Sequence, residues 1–337
     1  MKNTKFDYIN ILFAVILGVL IVLNIVARYK NKEQDKIIWE AEIQGFSEDT
    51  LSVNQNIIKI VDAHYFNNFN HSSSNIDSNS EMITSNKKRN TIYFKNWNKD
   101  LLPDSLSLKY YSVDERNFYL LSTRLPYEKI RNLGKINNKI PNLILQIKPK
   151  GKIILKMSQV QNENENKESK FIASYTAKKI EGELDMLVYK KSSNHKYNDY
   201  EGITNVIDFS DLLQNRYKWS VKLVMKEQNK LIEISANSFS DDIIDIPENN
   251  DTITTRNIPS GFDIEWGNKK KYGIQYYFDA NEILNTFKKL SKINSSEPVT
   301  FTFNLNEGKL PQCEISNGKK SVPLKNLYPE LPIKYAN

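Results

Sequence analysis

Few residues in this chain have the chemistry to build a site, and their spacing narrows the choice further. The three histidines, His64, His71 and His195, share no short motif with one another. A zinc ligand set or a base–nucleophile pair needs partners brought together, so each histidine reads as a surface residue. Cys313 is the single cysteine, which excludes an intramolecular disulfide and a cysteine-based metal site. It sits in strand-like text and reads as a packed thiol. The stretch "SFSDDIIDIPENND" carries Asp241, Asp242, Asp245, Glu248 and Asp251. A calcium loop needs oxygen ligands at alternating positions and a glycine at its sharp turn. Here Ile243, Ile244, Ile246 and Pro247 interrupt the series, so the stretch reads as a solvated loop. No Gly-x-Ser-x-Gly, His-Glu-x-x-His, phosphate loop or dinucleotide glycine pattern appears. No catalytic, cofactor-binding or metal-binding residue is therefore expected. What remains is "GNKKKYG", Gly267 to Gly273, a basic turn between two strands. In it Lys269, Lys270, Lys271 and Tyr272 are the expected contacts for an acidic partner.

The elements that position that turn must come from a β-rich chain. Of 337 residues, 39% are hydrophobic and 26% charged, enough for a packed core. With 18 Tyr and 15 Phe against 11 Gly, the composition favours half-buried strands over a glycine-loop nucleotide fold. The net charge is +7, but the basic residues are spread along the chain, so binding to nucleic acid or to anionic lipid is not expected. No small-molecule ligand is expected either.

Ile9 to Ala27, "INILFAVILGVLIVLNIVA", has no charge. At about 1.5 Å per residue it matches a hydrocarbon core of about 30 Å. A cleaved signal peptide would show a shorter apolar run and a small-x-small site, and "NIVARYK" offers none. An uncleaved single span is expected. Lys2 and Lys5 precede it, while Arg28, Lys30, Lys32 and Lys36 follow, which on the positive-inside rule places the following domain in the cytoplasm. The N-terminal amine adds charge on the other side, so charge alone leaves both orientations open.

Beyond a polar connector (28–36), strand text recurs. "KIIWEAEI" and "IIKIVDAHYF" precede a polar, low-complexity loop at 67–90. Then "SLSLKYY", "NFYLLSTRL", a helix "PYEKIRNLGK", "NLILQI" and "IILKM" follow in order. The same order returns as "GFDIEW", "YGIQYYF", "DANEILNTFKKLSK", "VTFTFNL" and "QCEIS". Pro103 and Pro259, Phe118 and Ile274, and Leu143 and Val299 stand at one common separation. Asp279 caps the second helix with Glu282 at the capping-box position, and Ile283, Leu284, Phe287 and Leu290 share a face. Between the copies lie a solvated loop at 160–170, strands "KFIASYTA" and "GELDMLVYK", and a short helix capped by Asp208 or Ser210. "KWSVKLVM" and "LIEISANSF" follow as a hairpin. The expected fold is α+β: a transmembrane helix, then two related antiparallel-sheet-plus-helix (ββαββ-like) units at 37–160 and 161–334, with short tails at 1–8 and 335–337.

Several of these stretches resemble a bacterial family of unknown function, mostly exported envelope lipoproteins found often in Bacteroidetes. They are "IIWEAEIQ", "LPDSLSLKYYSVDERNFYLLSTRLPYEKI", "RYKWSVKL" and "RNIPSGFDIEWGNKKKYGIQYYFDANEILNTFKKL". The resemblance covers roughly Ile37 to Lys334. It implies export, with the soluble part outside the cytoplasm, and it carries no active-site residues. The chain departs from the family in lacking a lipid-attachment cysteine, so the apolar helix stands in as anchor. The expected role is a membrane-anchored envelope protein that binds another protein without catalysis. An immunity protein against a bacterial toxin and a hydrolase using scattered carboxylates are the alternatives.

Overall fold

The computed structural model describes residues 4–30, 32, 35–45, 57–75, 82–84, 91–95, 98–134, 139–160, 169–188, 200–240, 242–246, 253–293, 297–306 and 309–335. Helix α1 (Thr4–Lys30) runs unbroken, and none of its apolar stretch Tyr8–Ala27 is buried against the rest of the chain. It is apolar all round, long enough to span a membrane, and has no polar face for water. Among the described residues, two side-chain contacts join the connector after it to the domain that follows. Arg131 Nη2 lies 3.0 Å from Asp35 Oδ1, and Lys32 Nζ sits 4.0 Å above the Phe69 ring.

The N-terminal half contains β1 (Glu40–Gly45), β2 (Ile58–Asn67), β3 (Ser72–Asn75), β4 (Met82–Ile83), β5 (Thr91–Lys95), β6 (Ser105–Ser112) and β7 (Asn117–Arg124). Helix α2 (Tyr127–Gly134) follows, then β8 (Ile140–Ile147), β9 (Lys152–Val160), β10 (Lys170–Thr176) and β11 (Lys178–Ile180). One sheet has the order β10-β9-β8-β1-β5; the other is β11-β7-β6-β2-β3, with β4 also on β2. The C-terminal half opens with α3 (Val206–Gln214). After it come β12 (Arg216–Val224), β13 (Lys230–Ser238), β14 (Ile243–Ile244), β15 (Thr254–Asn257), β16 (Pro259–Gly267) and β17 (Lys271–Tyr277). Helix α4 (Ala280–Ile293), β18 (Val299–Asn304), β19 (Gln312–Ser316), β20 (Ser321–Leu324) and β21 (Ile333–Tyr335) complete it. Its sheets are β15-β12-β18-β19-β20 and β14-β13-β16-β17-β21.

The molecule is thus mixed α+β, and the expected strand–strand–helix–strand–strand order occurs in both halves. The strands before and after each helix lie in different sheets, so each helix carries the chain from one sheet to the other across the core. Ile130 of α2 and Ile283, Leu284, Phe287 and Leu290 of α4 are fully buried there. Burial of each such side chain contributes about 1.5–3 kcal/mol. Alternation works as expected: Leu143, Leu145 and Ile147 on β8, and Val299, Phe301 and Phe303 on β18, all point inward. Asp279 caps α4, its Oδ1 accepting from Glu282 N at 2.7 Å.

Four local expectations need correction. β12 and β13 form no hairpin; β12 instead runs parallel to β18, and β13 pairs with β16 in the other sheet. The 67–90 loop contains β3, which folds back on β2 from Asn67↔Ser72, and β4, paired to Ile58 and Lys59. "GELDMLVYK" contains a 3-10 turn, Leu184–Met186, in place of a strand. Asn205, rather than Asp208 or Ser210, caps α3, its Oδ1 accepting from Asp208 N at 2.8 Å. Beyond residue 160, β10 pairs with β9 and β11 with β7, so the sheets of the first half extend to Ile180.

Candidate functional site

The two halves meet at strand ends, and that fixes where each turn sits. Ile57, Tyr111, Val113 and Phe118, at one end of the N-terminal sheets, belong to the same apolar core as Phe209, Leu212 and Leu213 of α3. Around that core, Tyr111 Oη and Ser210 Oγ are 2.5 Å apart, Arg116 Nη2 lies 2.7 Å from Asp211, and Gln214 donates to Asp114 at 2.7 Å. Burial of its carboxyl oxygens pushes Asp114 up to about 6, against the hydrogen bonds from Gln214 and from Ile57 N. On the other side α3 is held to α4 by Lys288 Nζ, 2.8 Å from Asp208 and 2.6 Å from Asp211. A second strip joins β4 to the end of β13: Thr84 donates to Asp242, and Tyr200 Oη, 3.9 Å from Met82 Sδ, donates to Phe239 O at 2.8 Å.

These contacts give the molecule an axis. The connector after α1 touches Phe69, just past the Asn67 end of β2, while the opposite Ile58 end of β2 meets the C-terminal half. That half is met at the Ser238 end of β13, so its Lys230 end points away. The "GNKKKYG" turn pairs Gly267 with Lys230 and with Lys271, which places it at the end farthest from α1. Lys269, Lys270 and Lys271 are exposed there, and Lys226 and Lys230 are exposed on the neighbouring β12–β13 turn. Gly267, at φ +141° with Lys270 O within 2.0 Å of a would-be Cβ, is a position only glycine fills. Tyr272 is not one of the contacts: it points inward on β17, is 3% exposed, and stacks on Trp266 at 5.8 Å.

Beside the turn, the outer face of β16 and β17 carries an open groove of about 600 Å³. Asp263, Glu265, Gln275, Tyr277, Glu330 and Tyr335 line it. Sequence reading did not identify this groove, because Tyr328 to Tyr335 reach it from the C-terminal tail. Partial burial, with Gln275 opposing and the Glu233 charge assisting, raises the Asp263 carboxyl above its usual value. The other singled-out residues lie apart. His64 pairs with Asp62 at 2.5 Å, and His71 occupies the β2–β3 turn at φ 55°. Cys313 is buried, and burial pushes its thiol up. Asp242 accepts from Ser240 at 2.9 Å in a buried serine cluster. His195, Asp241, Glu248 and Asp251 lie outside the described residues, as does most of the 160–170 loop. Among the described residues no three His, Cys, Asp or Glu side chains converge as metal ligands. In comparisons with known proteins, no family model, no curated protein and no solved structure matches this chain.

Proposed function

We propose that this chain is a membrane-anchored, non-catalytic binding protein of the bacterial envelope. In this reading it is built as two copies of one unit stacked end to end, and it presents the far end of the second copy to a partner. The observation that carries it is the axis: an apolar, unburied α1 at one end and Lys269, Lys270 and Lys271 exposed at the other.

Duplication is supported by register. The sheet orders coincide when β1, β2 and β3 are matched with β12, β13 and β14, and β5 to β11 with β15 to β21, β4 being left unmatched. A bulge interrupts β2 between Ile60 and Asp62, and one interrupts β13 between Leu231 and Glu233. Next to those bulges stand stacked cross-strand pairs, Tyr110 on Tyr119 and Trp266 on Tyr272. Export of the soluble part, implied by the family resemblance, belongs to the same reading.

Alkaline carbonate extraction of membranes containing the full chain tests the anchor. Retention in the pellet is expected, and release to the supernatant would overturn it. Protease accessibility of the Lys269–Lys271 turn in spheroplasts whose host membrane is intact tests the orientation; protection there, with cleavage after detergent lysis, refutes export. A second reading, hydrolysis by carboxylates, is favoured by Asp263 and Glu265 in the tyrosine-lined groove. Turnover of a chromogenic glycoside or ester that disappears in Asp263→Asn would install it in place of the first.

A further inference from the structure

Resting on the anchored, end-to-end reading, we propose that the far end docks on an anionic bilayer other than the one that holds α1, making the protein a tether between two membranes.

The equivalent end of the first unit is the joint between the halves. There, Ile57, Tyr111 and Phe118 form an apolar socket that α3 fills. Strand register places Gln228, Gly267 and Lys271 at the corresponding positions of the second unit. The socket has become polar, and Gln228 and Lys271 are exposed. A protein interface is organised around buried aromatic or arginine anchors in fitted pockets. Here Trp266 and Tyr272 are stacked inward, and the exposed aromatic ring at this end is Tyr335, opposite Lys271 on the edge strand β21.

What the end does present is lysine on three adjoining turns. Lys226 and Lys230 flank the β12–β13 turn, Lys269, Lys270 and Lys271 form the β16–β17 turn, and Lys309 stands on the β18–β19 turn beside the exposed Leu310. Among the described residues of these turns Glu227 is the acidic one, the sequence adding Glu307 two positions before Lys309, and Glu233 and Glu265 lie further down the outer face of β13 and β16. Lysine ammonium groups are mobile point charges without the planar fork that reads one phosphate in a fixed geometry. Several of them exposed on turns at one end suit a flat surface dense in anionic headgroups, whereas a linear polyanion is held in a groove.

The host membrane of α1 is out of reach. The β2 strand separates the connector from the joint, and β16 separates the joint from the lysine turn. At about 3.3 Å per residue the two strands laid end to end span roughly 60 Å.

The test uses the full chain reconstituted in phosphatidylcholine liposomes, mixed with a second, fluorescent vesicle population. Vesicles containing phosphatidylserine are expected to be captured and pure phosphatidylcholine vesicles left free, with capture weakening as salt rises. Each lysine near an anionic surface is worth roughly five-fold in partition. Counting Lys270 and Lys271 alone, K269Q/K270Q/K271Q should therefore lower apparent affinity by at least about 25-fold, and K230Q, on a separate turn, about five-fold. Cryo-electron microscopy of the docked pairs should show a gap of roughly 60 Å. Equal capture of neutral vesicles, or undiminished capture by the triple variant, overturns the proposal. Binding of polyglutamate or duplex DNA without vesicle capture overturns the lipid assignment and leaves the distal binding end standing. Loss of the chain from its host liposomes on carbonate washing, visible separately, removes the anchored reading and the tether with it.

Discussion

Phe209→Ala probes whether the molecule is one stiff body from the connector to the lysine turn. Phe209 is fully buried on α3, with its ring 6.3 Å from Tyr111 of the first half and 5.1 Å from Tyr200. Replacing a buried Phe by Ala removes the transfer contribution and leaves a cavity, typically about 3–5 kcal/mol. That loss falls on contacts shared by both halves, so both should feel it. In peptide-resolved hydrogen exchange of the full chain in detergent, amides of β6, β7 and α3 should all exchange at least about 100-fold faster than in the parent. Phe287→Ala is the control. Phe287 is equally buried, but its ring neighbours, Tyr217 at 4.8 Å and Phe301 at 5.8 Å, lie within the C-terminal half. That variant should loosen β12 and β18 and leave β6 and β7 protected. If Phe209→Ala leaves the β6–β7 hairpin unchanged, the halves are energetically separate and the end-to-end argument fails.

Three further outcomes follow from the geometry. Asp114 is raised in the folded state, which therefore binds more protons than the unfolded chain between about pH 4 and 6, so its contribution to stability falls as pH rises through that window. Asp114→Asn should flatten this limb in urea titrations at stepped pH; an unchanged limb refutes the assignment. A Cβ on Gly273 would lie 2.8 Å from the Tyr335 ring, so Gly273→Val should detach β21, seen as new protease cleavage before Ile333; an uncut tail counts against it. Cys313 should resist a thiol reagent in the native chain and react stoichiometrically in denaturant, and rapid native labelling would contradict its burial.

Much of the fold was legible because alternation and capping are local. β6, β7, α2, β8 and β9 and their counterparts are visible as text, and the α4 face is read correctly down to Leu290. What periodicity does not encode is partner choice. β12 and β13 look like a hairpin because they are adjacent and apolar, yet β12 takes its neighbour β18 from far along the chain. The common separation that matched Phe118 with Ile274 also slips. Stacking of Tyr119 and Tyr272 against their cross-strand partners puts Phe118 opposite Lys271 in register, because the β16–β17 turn is shorter than the β6–β7 turn. Sequence spacing absorbed that difference in the helices that follow.

The slip matters to function, since it changes what the lysine turn is compared with. Matched by text, "GNKKKYG" is a soluble turn in a chain full of lysine. Matched by strand pairing, it occupies the place where the first unit receives α3 through Tyr111, Asp114 and Arg116. The N-terminal half thus ends its sheets in an apolar joint, and the C-terminal half ends its sheets in exposed lysine. Three consecutive lysines at the same point put charge of one sign at the end of the axis, and that asymmetry, rather than basicity spread along the chain, is what makes the far end the place to look for a partner.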